Sequence, residues 1–176
     1  MSKKTKIIIA CVLVAFGVAS RLVPHPWNVA PIAAIALFSG VYLGGIFSVT
    51  VPMLAMLISD SMLGFASWQV TWSVYLSFFL IGLIGRTVKK HKSFEVVLAS
   101  SLVGSFLFFA VTNWAVWQFA DWYPHTINGL IACYIAALPF FRNTLAGDLF
   151  YTGALFGSYE LFWAIVTKKY LILGKI

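Results

Sequence analysis

Long apolar runs follow one another along this chain, and its basic residues gather in small clusters at their ends. The longest run extends from Phe94 to Trp117. Hydrophobic residues make up 61% of the 176 positions and charged residues only 10%. A water-soluble domain carries about 25% charged residues. Charges this sparse cannot cover the surface of a soluble fold, and lipid is the natural solvent for the excess apolar surface. The composition reads as an all-α, polytopic membrane protein in one integral domain, 1–176, with no Ser/Gly-rich or Pro-rich linker.

The net charge of +7 raises the question of nucleic acid. The placement of the charges excludes it. Lys3, Lys4 and Lys6 form one cluster, Arg86, Lys89, Lys90 and Lys92 a second, and Lys168, Lys169 and Lys175 a third. Each sits at the end of an apolar run, the positive-inside pattern of a bilayer protein. The spans read as about 7–22, 30–43, 46–64, 71–85, 94–117 and 143–166. The first has the basic start and small-residue end of a signal peptide; its continuation to Arg21-Leu22-Val23 favours an uncleaved helix. Spans two and four fall short of the roughly 20 residues of a full crossing. The segment 127–138, stopped by Pro139, is expected as a short helix lying in or dipping into the outer face. Counting it as a crossing would move the last lysine cluster outside. Six crossings put all three clusters, and both termini, in the cytoplasm of a bacterial inner membrane.

With that orientation the unusual polar residues collect at the outer leaflet. Arg21, His25, Trp27 and Asn28 fall in or next to the first outer loop, Asp60 near the outer end of span three, and Trp72 around the second outer turn. Asn113 lies in the outer part of span five, Asp121, Tyr123 and His125 in the third outer loop, and Arg142 and Asp148 open span six. Interfacial Trp and Tyr belong to any membrane belt. The carboxylates are harder to dismiss, because a charge within a span costs on the order of 2.5–3.5 kcal/mol, and Arg21 and Arg142, the only Arg on that side, are the candidate partners. Asp148 and Arg142 stand about 9 Å apart along one helix and about 120° apart around it, so each needs another partner. The expected ligand site comprises His25, Asn28, Asp60, Trp72, Asn113, Tyr123, Arg142 and Asp148. Its aromatic walls suit flat rings, and its Arg offers bidentate donors to a carboxylate or phosphate.

Catalysis finds little support. There is no P-loop, H-E-x-x-H or G-x-S-x-G, and no close carboxylate spacing for His25 or His125. Cys11 and Cys133 are too few and too apolar in context for a disulfide framework or a zinc site. No cofactor or metal is implied. Ala15-x-x-x-Ala19, Gly40-x-x-x-Gly44 and Gly153-x-x-x-Gly157 are small-residue seams that let helices approach closely, and internal packing is the default expectation for each.

The stretches RLVPHPWNVAPIAAIALFSGVYLGG (Arg21 to Gly45) and ACYIAALPFFRNTLAGDLFYTGALFG (Ala132 to Gly157) resemble an uncharacterised family of bacterial transport proteins. That family is related to the S components of energy-coupling factor (ECF) transporters, which capture vitamins. The resemblance spans nearly the whole chain. It implies an S-component-like bundle of six helices with a ligand near the outer face. It also implies an Ala-x-x-x-Ala seam on the first helix, here Ala15 and Ala19, that docks on a coupling subunit carrying two ATPases. Some S components are solitary, and the cobalamin-type solitary members place a cysteine on the cobalt. Cys11 falls in the inner half of span one and Cys133 on the short outer-face helix, and neither is matched to that cysteine. The reading is therefore a vitamin-binding uptake component and not an enzyme. A structural or assembly protein with an outer salt-bridge network, and a membrane enzyme acting on lipid head groups, stay open as alternatives.

Overall fold

The structure is a computed structural model describing the backbone of residues 1–173 and the side chains through residue 167. Lys168, Lys169 and Lys175 of the third basic cluster lie outside the described side chains. The protein is 84% helical, with no strand among the described residues. The helices are α1 (Lys3–Leu22), α2 (Ile32–Phe38), α3 (Phe47–Leu63), α4 (Trp68–Val88), α5 (Phe94–Phe119) and α6 (Ile127–Leu173). A π-helical turn, Ser39–Leu43, continues α2, and a 3-10 turn, Lys89–His91, continues α4.

The hub is α2. All seven of its residues are buried, as a helix apolar on every side requires. It touches α3, α4, α5 and α6, while α1 lies against α3 on the outside. The crossing with α4 depends on glycine. Pro52 leaves the Ser48 carbonyl of α3 without its in-helix donor, and α4 packs against that carbonyl. A Cβ on Gly82 would lie 2.1 Å from the Ser48 oxygen, and one on Gly40 would lie 2.5 Å from the Gly82 oxygen. Only small residues permit backbones to meet this closely.

The exterior is apolar and part of the interior is polar. Ile8, Val12, Phe106, Phe150 and Leu161 are all more than 60% exposed. Ser48, Ser59, Ser77, Ser101, Ser105 and Thr152 are buried, several with hydroxyls bonded to carbonyls on their own helices. This distribution is compatible with lipid as solvent. Among the described residues four stretches are long and apolar enough to cross a membrane: Lys3–Leu22, Trp68–His91, Phe94–Phe119 and Ile127–Thr167. Ile32–Leu43 and Phe47–Leu63 are shorter.

One expectation fails outright. Segment 127–138 is not a separate outer-face helix; it is the first part of α6, which runs unbroken through Pro139. Pro139 removes one hydrogen bond, but packing on α5 spans the defect. Tyr134 donates to the Ala110 carbonyl at 2.6 Å before the proline, and Phe141 stacks on Phe109 at 4.4 Å after it. The span expected at 71–85 is also longer, because α4 begins at Trp68 and runs to Val88.

The connections sort the bundle into two ends. The segments 23–31, 64–67 and 120–126 join helices at one end, and 44–46 and 89–93 at the other. Lys6 donates to the Leu43 carbonyl, and Lys92 pairs with Glu160, so the first two basic clusters share the second end.

Candidate functional site

A cavity of about 540 Å³ lies at the end opposite the first two basic clusters. That volume is within the range of small-molecule sites. Its floor is the start of α2, Ile32 and Ala33, and its apolar walls include Met56 of α3, Val74 and Phe78 of α4, and Phe108 of α5. Phe78 and Phe108 stack on one another at 5.2 Å. The polar lining comes from Arg21 at the end of α1, Thr144 and Asp148 of α6, and His25 and Asn28 of the first loop.

That loop forms the lip, and its path is fixed locally. Pro24, Pro26 and Pro31 restrict its backbone. Asn28 sits at φ 61°, a left-handed conformation that Asn tolerates better than most residues. The loop rests on α6, where Asn143 donates to the Trp27 carbonyl at 3.1 Å. A Cβ on Gly147 would lie 3.3 Å from the Val29 Cα, so the absence of a side chain there lets the loop sit down. His25 Nδ1 bonds the Pro26 carbonyl at 2.9 Å.

The two carboxylates expected at the site have different surroundings. Asp60 is fully engaged. Its Oδ1 meets Arg21 Nη1 at 2.7 Å, and its Oδ2 accepts from the Tyr75 hydroxyl at 2.9 Å. Arg21 also donates to Ser59 Oγ. Asp60 lies behind Arg21 and does not line the cavity. Asp148 does line it, is only 4% exposed, and accepts one hydrogen bond, from Ser105 Oγ at 2.6 Å. Among the described residues no Lys, Arg or His nitrogen lies within 4.0 Å of its oxygens.

Of the eight expected ligand-site residues, the cavity gathers His25, Asn28 and Asp148. The other five lie elsewhere. Arg142 is exposed on α6, since the turn that faces the cavity carries Thr144 and Asp148. Trp72 is 66% exposed. Asn113 turns back to donate to the Phe109 carbonyl of its own helix at 2.8 Å. Tyr123 lies with Asp121, Trp122 and His125 around the separate 121–125 loop. Arg21, Phe78, Phe108 and Thr144 belong to the cavity without having been expected as ligand residues. Arg21 was legible as a partner for Asp60; the two Phe and Thr144 carried no signal distinguishing them from ordinary span residues.

The small-residue seams also divide. Gly40 packs internally against α4, but a Cβ on Gly153 or Gly157 would meet nothing within 4 Å, so a close helix approach inside the bundle does not require either of them. Ala15 and Ala19 are exposed, whereas Leu13 and Gly17 on the other face of α1 are buried. The exposed pair lines a shallow apolar groove with Val14, Val51 and Leu54.

The chain belongs to a family of unknown function (DUF6580), whose profile matches residues 1–170. No curated protein and no solved structure matches it. Family membership therefore brings no activity with it, and no link to S components.

Proposed function

We propose that this DUF6580 member is a substrate-binding membrane component, built like the S components of ECF transporters, for uptake of a vitamin or related micronutrient. The six helices cross a bacterial inner membrane with both termini cytoplasmic. The cavity then opens at the outer leaflet and the basic clusters face the cytoplasm. Ile32–Leu43 rises only about 18 Å, less than the roughly 30 Å hydrocarbon core. It serves as a wrapped half-crossing completed by the 23–31 loop, because irregular backbone within a membrane is tolerated where other helices or a cavity surround it. The protein binds and carries out no reaction.

The observation that carries this reading is the cavity itself: ligand-sized, walled by aromatic and aliphatic side chains, and holding a few convergent polar groups at the end away from the lysines. The outward face of Ala15 and Ala19 supports a second part of it. A small-residue face that is not used inside the bundle is free to meet a helix of a coupling subunit with its two ATPases. A solitary mode is compatible with the same face turned to lipid. The scaffold alternative keeps one specific support, because the Arg21–Asp60–Tyr75 group is satisfied entirely by protein.

The test is mass spectrometry of small molecules extracted from the purified protein, compared with a Thr144→Phe variant that fills the cavity from a buried wall position. A molecule enriched in the wild type and lost from a folded variant is expected. No enrichment over a mock purification, or equal retention by the variant, overturns the reading. Ala15→Leu with Ala19→Leu should abolish uptake while leaving that molecule bound. Unchanged uptake removes the docking role.

A further inference from the structure

Resting on the reading of the cavity as a ligand site, we infer that its ligand is a ring-sized apolar molecule carrying a protonated amine or amidinium, with Asp148 as the counter-ion. The charges of the site decide the sign. Arg21 is the cation nearest to hand and the natural anchor for an anionic ligand. Its Nη1 is already held by Asp60 at 2.7 Å and by Ser59. That pair is neutral as a unit, so the charge an incoming anion would meet there is already balanced by a carboxylate built into the fold. Asp148 is in the reverse situation. It lines the cavity at 4% exposure and has a single hydroxyl donor.

A buried carboxylate has room for about four hydrogen bonds, and one is in use on Oδ2. Arg21 and His25 line the same cavity, and neither bonds Asp148. The elements packed around Asp148 bring no other cation: the lining residues from α2, α4 and α5 are Ile32, Ala33, Val74, Phe78 and Phe108. A carboxylate enclosed in this way either takes up a proton or is held charged by a cation beside it, and the space in front of it is open to a ligand that supplies one. The stacked faces of Phe78 and Phe108 add a surface that attracts cations and flat rings alike. An alkylammonium or amidinium on an aromatic body satisfies both features together. A carboxylate or phosphate ligand would instead meet Asp148 as a like charge.

The experiment uses the full-length protein in detergent and three probes that differ in one group: naphthylmethylamine, naphthalenemethanol and naphthylacetate. Binding is read by titration calorimetry on the wild type and on Asp148→Asn, which keeps the acceptor for Ser105, with each probe's free concentration corrected for its uptake by protein-free micelles. The wild type is expected to bind the amine at least about tenfold tighter than the alcohol, a difference of about 1.4 kcal/mol. In Asp148→Asn that preference is expected to disappear while alcohol binding stays. Equal binding of amine and alcohol in both proteins overturns the cationic ligand and leaves the ligand cavity standing. Preference for the acid does the same and makes Arg21 the anchor. Failure of every probe to bind the wild type overturns both the inference and the cavity reading beneath it. If Asp148→Asn does not fold, the ranking of the three probes on the wild type decides the question alone.

Discussion

Two ion pairs, one at each end of the bundle, are assembled from the same parts: a basic side chain, a carboxylate and a tyrosine hydroxyl. At the cavity end Arg21 joins α1 to Asp60 of α3, and Tyr75 of α4 donates to the other carboxylate oxygen. At the basic end Lys92 joins the turn before α5 to Glu160 of α6, and Tyr42 donates to the same oxygen that Lys92 reaches. Their side-chain exposures separate them: 19% and 10% for Arg21 and Asp60, 37% and 54% for Lys92 and Glu160. The first pair is fixed on both carboxylate oxygens and screened from solvent. The second shares one oxygen in the open. Burial, more than chemistry, therefore sets what each pair contributes, and the two ends should answer differently to the same type of substitution.

The largest effect is expected where one charge of the buried pair is removed. Arg21→Gln leaves Asp60 charged, buried and uncompensated, a loss of about 3–5 kcal/mol in comparable buried pairs; Asp60→Asn leaves Arg21 at the cavity wall, where water reaches it, and should cost less. Unfolding of the purified protein in denaturing detergent should show it. The double variant Arg21→Met with Asp60→Leu should recover much of that loss, because an apolar pair of similar volume avoids desolvation. If Arg21→Gln costs less than about 1 kcal/mol, the site behaves as though wet, and the contrast between the ends disappears.

An intermediate effect is expected at the lip of the cavity. Asn143→Ala removes the hydrogen bond to the Trp27 carbonyl and should cost about 0.5–1.5 kcal/mol. The loss should appear locally, as faster amide exchange across 24–30 with the buried α2 unchanged, because a loop held by few contacts opens independently of the core. Uniform acceleration through α2 would mean that the loop and hub unfold together.

The helical class and the apolar exterior were legible because composition and span length report directly on the solvent. The pairing of Arg21 with Asp60 was half legible: both carried the signature of a charge in an apolar stretch, and charge balance suggested the partner. The continuity of α6 was not. A proline following an apolar stretch reads as a stop, and what carries the helix through Pro139 is contact with Ala110 and Phe109 of another helix. The membership of the cavity was legible only in part for a similar reason. Asp148 and His25 announce themselves by residue type. Arg142 has the same chemical appeal, yet it falls on the exposed side of α6, and a face can be assigned only once the neighbours are known. Phe78, Phe108 and Thr144 are ordinary span residues until three helices bring them to one cavity.

The smallest effect is expected at the basic end, and it tests whether exposure is the right variable. Glu160→Gln or Lys92→Gln removes an ion pair that water and salt reach, and such pairs contribute about 0–1 kcal/mol. The change should shrink further as ionic strength rises, since exposed charges are screened over about 8 Å at physiological salt. Packing supplies the cohesion there instead. Tyr42 lies against Tyr159 at 4.1 Å, and Phe38 meets Phe156 at 5.3 Å, so the end of α2 stays attached to α6 when the charges are gone. Phe156→Ala should therefore destabilise the protein by about 3–5 kcal/mol, in the range of truncated core aromatics, far more than either charge substitution. A salt-independent loss above about 2 kcal/mol for Glu160→Gln would reverse the ranking, for it would mean that the Lys92–Glu160–Tyr42 group is as shielded as its counterpart at the cavity.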